Sequence, residues 1–189
     1  MEMPQATKIM VIRHAEKPAD DGSDPRAVTI DGKGDPESLI VQGWQRAGAL
    51  AVLFAPARGP LQSAELATPK VIFATDAAKT SKSERPQETI TPLAAKLSIT
   101  PDTSFDKGKE KDLVDSALSQ DGVVLICWQH EEIPKIANHI LGNDTTAPQS
   151  WPGKRFDMVW VFDLQATGGY SLSQVPQLLL AGDSPDPIT

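Results

Sequence analysis

Short, β-rich apolar runs alternate along this chain with longer segments in which apolar residues recur at helical spacing. The patterns of residues 8–12 (KIMVI), 70–74 (KVIFA) and 123–128 (VVLICW) predict buried strands. Helices are predicted between and after these strands, over residues 38–54, 83–97, 109–118 and 132–141. Strands separated by helices favour an α/β chain, a three-layer α/β/α sandwich with a mostly parallel central sheet.

The remaining segments carry weaker patterns. Further strand candidates lie at residues 97–100, 158–163 and 177–180. We expect a single domain over residues 1–189 with two short cap loops, 17–37 and 144–156, because Gly, Pro and Asp are frequent there. The tail, residues 182–189, is predicted to fray.

Composition and charge exclude several classes of protein. The 189 residues suffice for one domain with a sizeable core, and the formal net charge of −7 disfavours nucleic acid as a partner. No apolar run is long enough for a transmembrane helix, and the N-terminus lacks the pattern of a secretory signal. No membrane partner is therefore expected. The single cysteine, Cys127, cannot form an intrachain disulfide, so a cytoplasmic location is expected. Composition leaves the oligomeric state open.

Phosphate-competent side chains follow three of the predicted strands. Arg13 and His14 follow the first strand, Ser81 and Arg85 follow the second, and His130 follows the third. Ligands of open α/β sheets bind outside the carboxyl ends of the strands, so these residues are expected at one rim.

The residue types at this rim suit phosphoryl chemistry. A neutral imidazole is a competent nucleophile, and its covalent adduct divides one difficult step into two easier ones. Arginine grips phosphoryl oxygens with a planar fork of donors that stays charged. Arg85 also precedes Pro86 at a predicted helix start, where free N–H groups favour an anion.

Three segments of the chain resemble the histidine phosphatase superfamily, also called the phosphoglycerate mutase-like family. The resemblance spans roughly residues 8 to 140, and the ordered set is more specific than an Arg-His pair alone. His130 falls where the family has its second histidine. The matching segments are Ile9 to Glu16 (IMVIRHAE), the set Leu39, Gly43, Arg46 and Ala47, and the spacing Ser81-x-x-x-Arg85-x-x-x-Thr89.

The resemblance implies a phosphoglycerate mutase-like fold and a metal-independent phosphomonoester hydrolase. His14 is expected to attack phosphorus and become a phosphohistidine that water then hydrolyses. Arg13, Arg85 and His130 are expected to hold the equatorial oxygens. No cofactor is implied, and one cysteine with widely spaced histidines forms no convincing metal motif.

The proton donor for the leaving group is open among several carboxyl groups. Glu131 is favoured because it directly follows His130, as in the acid-phosphatase-like branch of the family. Such an acid needs burial to raise its pKa toward the working pH. The alternatives are Glu132, Glu16, Asp106 and Glu110.

Three further residues near the motifs are candidate substrate ligands: Glu16, Lys17 and Ser81. The substrate class is a phosphorylated small molecule or a phosphoprotein. With little cap material in the chain, a broad or exposed substrate is favoured. Trp151, in the second cap loop, is a candidate for the pocket wall, whereas Cys127 is interpreted as a buried, inert thiol.

Three rival functions remain open from the sequence. Two share the fold: a phosphomutase, and a phosphatase acting on phosphohistidine in proteins. The third is a non-catalytic protein that binds phosphate or acts as a scaffold. This third function remains open because the sequence does not identify the carboxyl group that would protonate the leaving group.

Overall fold

Five strands form one sheet in the computed structural model, which describes residues 5–78 and 81–189. The order across the sheet is β2-β3-β1-β4-β5, so the first strand of the chain is central. The strands are β1 (Ala6–Arg13), β2 (Val71–Ala74), β3 (Gly122–Trp128), β4 (Met158–Leu164) and β5 (Tyr170–Pro176).

Helices cover both faces of this sheet. Alternate residues of β1 point to opposite faces: Met10 and Ile12 pack in one apolar cluster, and Ile9 and Val11 pack in the other. Helices α1 and α2 pack on the Met10 face, and α3 and α4 pack on the Ile9 face. The predicted three-layer sandwich is therefore confirmed. The helices are α1 (Val41–Phe54), α2 (Arg85–Leu97), α3 (Glu110–Leu118) and α4 (Ile133–Leu141).

The sheet is parallel in one half and antiparallel in the other. β3 runs parallel to both β1 and β2, whereas β4 is antiparallel to β1 and to β5. The predicted strand at 97–100 is wrong: Leu97 ends α2, and the nearby chain contributes only an isolated bridge between Phe73 and Asp102. The predicted strand at 177–180 is also wrong, because the last strand is β5, which precedes it.

The parallel half brings three strand ends to one edge of the sheet. Arg13 pairs in register with Trp128, and Ala74 pairs with Cys127, so β1, β2 and β3 end at nearly the same level. This shared edge receives His14 and the loops that follow β2 and β3. Within the described ranges, no helix is long and apolar enough to cross a membrane.

Close packing of α1 against the chain after β1 depends on Gly43. A Cβ atom at this position would lie 2.5 Å from the backbone oxygen of Glu16 and 3.1 Å from its backbone nitrogen. The same oxygen accepts a hydrogen bond from the backbone N–H of Ile40. Gly43 therefore lets the helix approach the segment that carries the nucleophile candidate.

We predict that Gly43→Ala destabilises the fold by about 1–3 kcal/mol, because the Glu16 backbone must move to admit a methyl group. Urea denaturation at neutral pH measures the change. Gly48→Ala is the matched control in the same helix, since nothing lies within 4 Å of a Cβ there. The control should gain about 0.5–1 kcal/mol from helix propensity, and equal effects of the two substitutions would contradict the packing argument.

Candidate active site

The turn after β1 fixes the tautomer of His14. The residue is 3% exposed, and its backbone N–H donates to the carbonyl oxygen of Trp128 at 3.0 Å. Its ring Nδ1 lies 2.7 Å from the carbonyl oxygen of Ala15. A carbonyl oxygen can only accept, so Nδ1 carries the proton and Nε2 keeps its lone pair. This is the arrangement that a nucleophilic imidazole needs.

Burial lowers the pKa of His14 well below its ordinary value. The positive charges of Arg13 and Arg85, and His130, lower this pKa further, whereas the hydrogen bond to Ala15 opposes them. The imidazole is therefore neutral at physiological pH. A neutral ring keeps the lone pair on Nε2 available.

Arg13 is buried (1% exposed) and only partly paired. Its Nη1 donates to the carbonyl oxygens of Gly153 at 2.7 Å and of Arg155 at 3.0 Å. Its guanidinium carbon lies 3.8 Å from the ring centre of Phe156. The other two nitrogens, Nε and Nη2, are buried without a hydrogen-bond partner. Unpaired buried donors are rare and unfavourable, so these two are suited to receive an anion.

The burial of Arg13 also lowers its pKa, to about 10, and its neighbours shift the value in both directions. The carboxylates of Glu131 and Glu16 oppose the decrease, and Arg85 adds to it. Arg13 therefore keeps its positive charge at neutral pH.

Arg85, the first residue of α2, is held by the backbone of the first cap loop. Its Nε donates to the carbonyl oxygen of Ser38 at 3.1 Å, and its Nη2 donates to that of Pro36 at 2.5 Å. Glu37 places a carboxylate oxygen 3.9 Å away. Burial lowers the pKa of Arg85. The charge of Arg85 in turn lowers the pKa of His14.

His130 follows β3 and lies beside the second cap loop. A Cβ atom at Gly153 would be 3.6 Å from its Nε2, and its Nδ1 lies 3.3 Å from a carboxylate oxygen of Glu131. Burial and then Arg13 lower the pKa of His130, with smaller effects from Lys17 and Lys107, whereas Glu131 raises it. Arg13, Arg85 and His130 thus each lower the pKa of His14.

Glu131, the favoured proton donor, lies at this edge but is ionised. Burial raises its pKa, yet a backbone hydrogen bond, His130, Lys107 and Arg13 together lower it. The Nζ of Lys107 is 3.8 Å from the Glu131 carboxylate. At neutral pH only a small fraction of this carboxyl group is therefore protonated, and a general acid must be protonated to donate.

Glu16, which the sequence suggested as a substrate ligand, pairs with Arg46. Its carboxylate oxygens accept three hydrogen bonds from the guanidinium of Arg46, at 2.7, 2.9 and 3.1 Å. Both side chains are buried, so Glu16 is a structural partner of α1.

Three other acid candidates have different environments. Glu110 accepts hydrogen bonds from the indole N–H of Trp128 and the backbone N–H of Gly108. Glu132 pairs with Lys135 at 2.5 Å. The backbone oxygen of Asp106 accepts a hydrogen bond from the backbone of Lys109 at the start of α3.

Lys17 and Ser81, the other substrate-ligand candidates, lie at the rim. Lys17 pairs with Asp20 in the first cap loop, and its charge lowers the pKa of His130. The hydroxyl of Ser81 accepts a hydrogen bond from the side-chain amide of Gln129, the residue before His130. Both therefore remain candidates that border the site.

Two residues support the candidate site in ways that the sequence did not specify. Thr89, interpreted from the sequence as a cap or packing residue, has a buried hydroxyl that accepts the backbone N–H of Ala15 at 2.8 Å and donates to the carbonyl of Arg85 at 2.7 Å. It ties α2 to the His14 turn. Phe156 stacks on Arg13, and its ring centre is 6.1 Å from that of His14. An isolated aromatic residue in a loop gives no sequence signal for such a contact.

Trp151 and Cys127 belong to the interior. The ring of Trp151 packs 5.0 Å from that of Trp160, and its indole N–H donates to the carbonyl of Arg155, so it is a core residue. Cys127 is fully buried, and desolvation strongly raises the pKa of its thiol. Among the described residues, no group of three or more His, Cys, Asp or Glu side chains is arranged to hold a metal ion.

Comparisons with known proteins establish the fold. No protein-family model matches the chain, and no curated protein matches its sequence. Among solved structures, a mycobacterial glucosyl-3-phosphoglycerate phosphatase complexed with VO3 has a TM-score of 0.53 and 12% identity, over 88% of this chain and 97% of that chain.

Two further solved structures have the same fold. A phosphoserine phosphatase mutant from Entamoeba histolytica, in complex with phosphoserine, gives a TM-score of 0.53 at 12% identity, over 92% of this chain and 98% of that one. A SixA protein from Agrobacterium tumefaciens, named as a candidate phosphohistidine phosphatase, gives 0.52 at 16% identity, over 88% and 94%. This chain therefore has the phosphoglycerate mutase-like fold of the histidine phosphatases, as the resemblance implied.

The lowered pKa of His14 makes stability depend on pH. Protonation favours the unfolded state, in which the histidine pKa is about 6.5, so the contribution of His14 is complete above that pH and is lost as pH falls below it. We predict that the free energy of unfolding of the wild type decreases toward pH 5 by up to about 1.4 kcal/mol per pH unit from this group. His14→Asn should reduce the slope.

Urea denaturation at pH 7, 6 and 5 tests this dependence. His139→Asn, at an exposed position on α4, is the control for replacing a histidine by asparagine. Identical slopes in the wild type and His14→Asn would contradict the assigned protonation state of His14.

Proposed function

We propose that this protein is a metal-independent phosphomonoester hydrolase that acts through a phosphohistidine on His14. One observation carries the proposal: two buried, unpartnered guanidinium nitrogens of Arg13 lie next to a neutral imidazole whose Nε2 is unprotonated. A phosphoryl group satisfies both features, because its oxygens accept from arginine while its phosphorus accepts the imidazole lone pair.

The first half-reaction transfers the phosphoryl group to the protein. Nε2 of His14 forms a bond to phosphorus while the bond between phosphorus and the leaving oxygen breaks. Arg13, Arg85 and His130 donate hydrogen bonds to the equatorial oxygens, where preorganised donors are most effective. In the second half-reaction water attacks phosphorus, releases inorganic phosphate and restores the neutral imidazole.

The leaving oxygen of an alkyl phosphate needs a proton as its bond to phosphorus breaks. We propose Glu131 as the proton-transfer residue, because its carboxylate contacts His130 at the edge of the site. Since its pKa is lowered, it seldom holds a proton at neutral pH. Substrates whose leaving groups depart without protonation are therefore favoured, and aryl phosphates are of this kind.

The proposed substrate class is a phosphorylated small molecule or a phosphoprotein. The related folds include proteins named for phosphoserine, for glucosyl-3-phosphoglycerate and for phosphohistidine, so the fold by itself does not choose between these classes. We also propose a cytoplasmic location, because the lone cysteine is buried and unpaired. The net charge of −7 argues against a nucleic-acid partner.

A second candidate function is phosphate binding without catalysis. The ionised state of Glu131 favours this candidate function, because a site whose acid lacks its proton can bind an anion and yet hydrolyse a substrate poorly. Binding of orthovanadate or inorganic phosphate without any hydrolysis distinguishes this candidate from the enzyme.

We predict that His14→Ala lowers the hydrolysis of p-nitrophenyl phosphate in EDTA by at least about 10³-fold, because the attacking atom is removed. Acid-labile phosphate trapped on the wild type during turnover, and lost in the variant, identifies the adduct. His139→Ala, at an exposed position on α4, serves as the control. Turnover that survives His14→Ala would refute the mechanism.

We predict that Glu131→Gln lowers the hydrolysis of alkyl phosphates by about 10²-fold or more and changes that of p-nitrophenyl phosphate little, because only the alkoxide needs a proton. Steady-state kinetics with paired aryl and alkyl substrates measure the two effects. Asp112→Asn, at an exposed position on α3, is the control for the change in charge. Equal losses on both substrates would exclude Glu131 as the proton donor.

A further inference from the structure

The C-terminal tail, predicted to fray, is tied to the body of the protein. Ile188 is 3% exposed, and its backbone N–H and carbonyl exchange two hydrogen bonds of 2.8 Å with the side chain of Gln174 on β5. Asp183 receives both outer guanidinium nitrogens of Arg46 at 2.7 and 3.1 Å. The tail is thereby anchored to a helix and to the edge strand.

Between these anchors the tail reaches the second cap loop through Asp157. One carboxylate oxygen of this buried residue accepts the backbone N–H of Ser184 at 2.7 Å, and the other accepts Nε of Arg155 at 2.7 Å. Arg155 also donates from Nη2 to the backbone carbonyl of Asp186 at 2.8 Å. The side chain of Arg155 is thus bound on two sides, by Asp157 and by the tail itself.

The backbone of the same arginine holds Arg13. Nη1 of Arg13 donates one hydrogen bond to the carbonyl oxygen of Arg155 and one to that of Gly153. The Arg155 oxygen also accepts the indole N–H of the buried Trp151 at 2.9 Å. Fixing the side chain of Arg155 therefore fixes the oxygen that orients the guanidinium of Arg13.

We propose that the tail, acting through Asp157 and Arg155, positions Arg13 for phosphoryl binding. The inference rests on the proposed function and deepens it, because it assigns the orientation of Arg13 to residues outside the site. With Nη1 committed to two backbone oxygens, Nε and Nη2 remain for the anion. Arg155 and Asp157 are positioning residues, since they act through Arg13.

Substitution of Arg155 separates positioning from general charge effects. Arg155→Gln removes both side-chain anchors, and we expect it to weaken orthovanadate binding about tenfold and to lower kcat/KM for p-nitrophenyl phosphate by a similar factor. Lys154→Gln is the matched control: it removes the same charge from the neighbouring exposed residue, and it should change either value less than twofold. Arg155→Lys keeps the charge, and we expect it to recover part of the loss.

A double-mutant cycle tests whether Arg155 acts through Arg13. Once Arg13→Lys has removed the guanidinium, Arg155→Gln should cause little additional loss of orthovanadate affinity. The ¹⁵N–¹H resonance of Arg13 Nε, compared in the unliganded wild type and Arg155→Gln, reports the orientation directly and should shift. Arg155→Lys provides the same readouts if Arg155→Gln does not fold.

The outcomes separate this inference from the proposed function. A wild type that neither binds orthovanadate nor hydrolyses p-nitrophenyl phosphate overturns both. A wild type that does so, with Arg155→Gln no worse than Lys154→Gln, overturns the positioning role alone. A full additional loss in the Arg13→Lys background, with an unmoved Arg13 resonance, also overturns it, because Arg155 would then act independently of Arg13.

Discussion

A buried guanidinium with two of its three nitrogens unpaired is the constraint on which this structure depends. Arg13 ends the central strand, where solvent cannot satisfy its charge or its N–H groups. Nη1 donates to two backbone oxygens, and the ring of Phe156 lies over the guanidinium. Nε and Nη2 nevertheless have no hydrogen-bond partner. Buried unpaired donors are otherwise unfavourable, so these nitrogens are suited to bind an oxyanion.

The rest of the molecule arranges the neighbours of this cation. The parallel half of the sheet brings His14 and His130 to the same edge, and Thr89 ties the His14 turn to the helix that begins with Arg85. Burial and the surrounding positive charge keep His14 neutral, which a nucleophilic imidazole needs. A backbone hydrogen bond, with His130, Lys107 and Arg13, lowers the pKa of Glu131, so this acid candidate is ionised at neutral pH.

The sequence pattern predicted those parts of the fold and of the candidate site that depend on residues close together in the chain. The apolar runs of β1 and β3 and the Arg-His pair directly after β1 are sequence-local, so the sandwich and the nucleophile candidate could be predicted. β5 (YSLSQVP) was not recognised because polar residues interrupt its apolar ones. It lies at the half-exposed edge of the sheet and lacks the continuous apolar run of the buried strands. The pairing of Glu16 with Arg46 could not be predicted, because the two residues lie 30 positions apart in the chain. Phe156 and the tail contacts are non-local as well, and no local pattern encodes them.

A crystal structure of the protein with orthovanadate tests the central claim most directly. The account predicts vanadium bonded to Nε2 of His14, with vanadate oxygens accepting hydrogen bonds from Nε and Nη2 of Arg13 while Nη1 keeps its two backbone oxygens. Vanadate bound away from His14, or Arg13 nitrogens turned toward other protein groups in the complex, would contradict it.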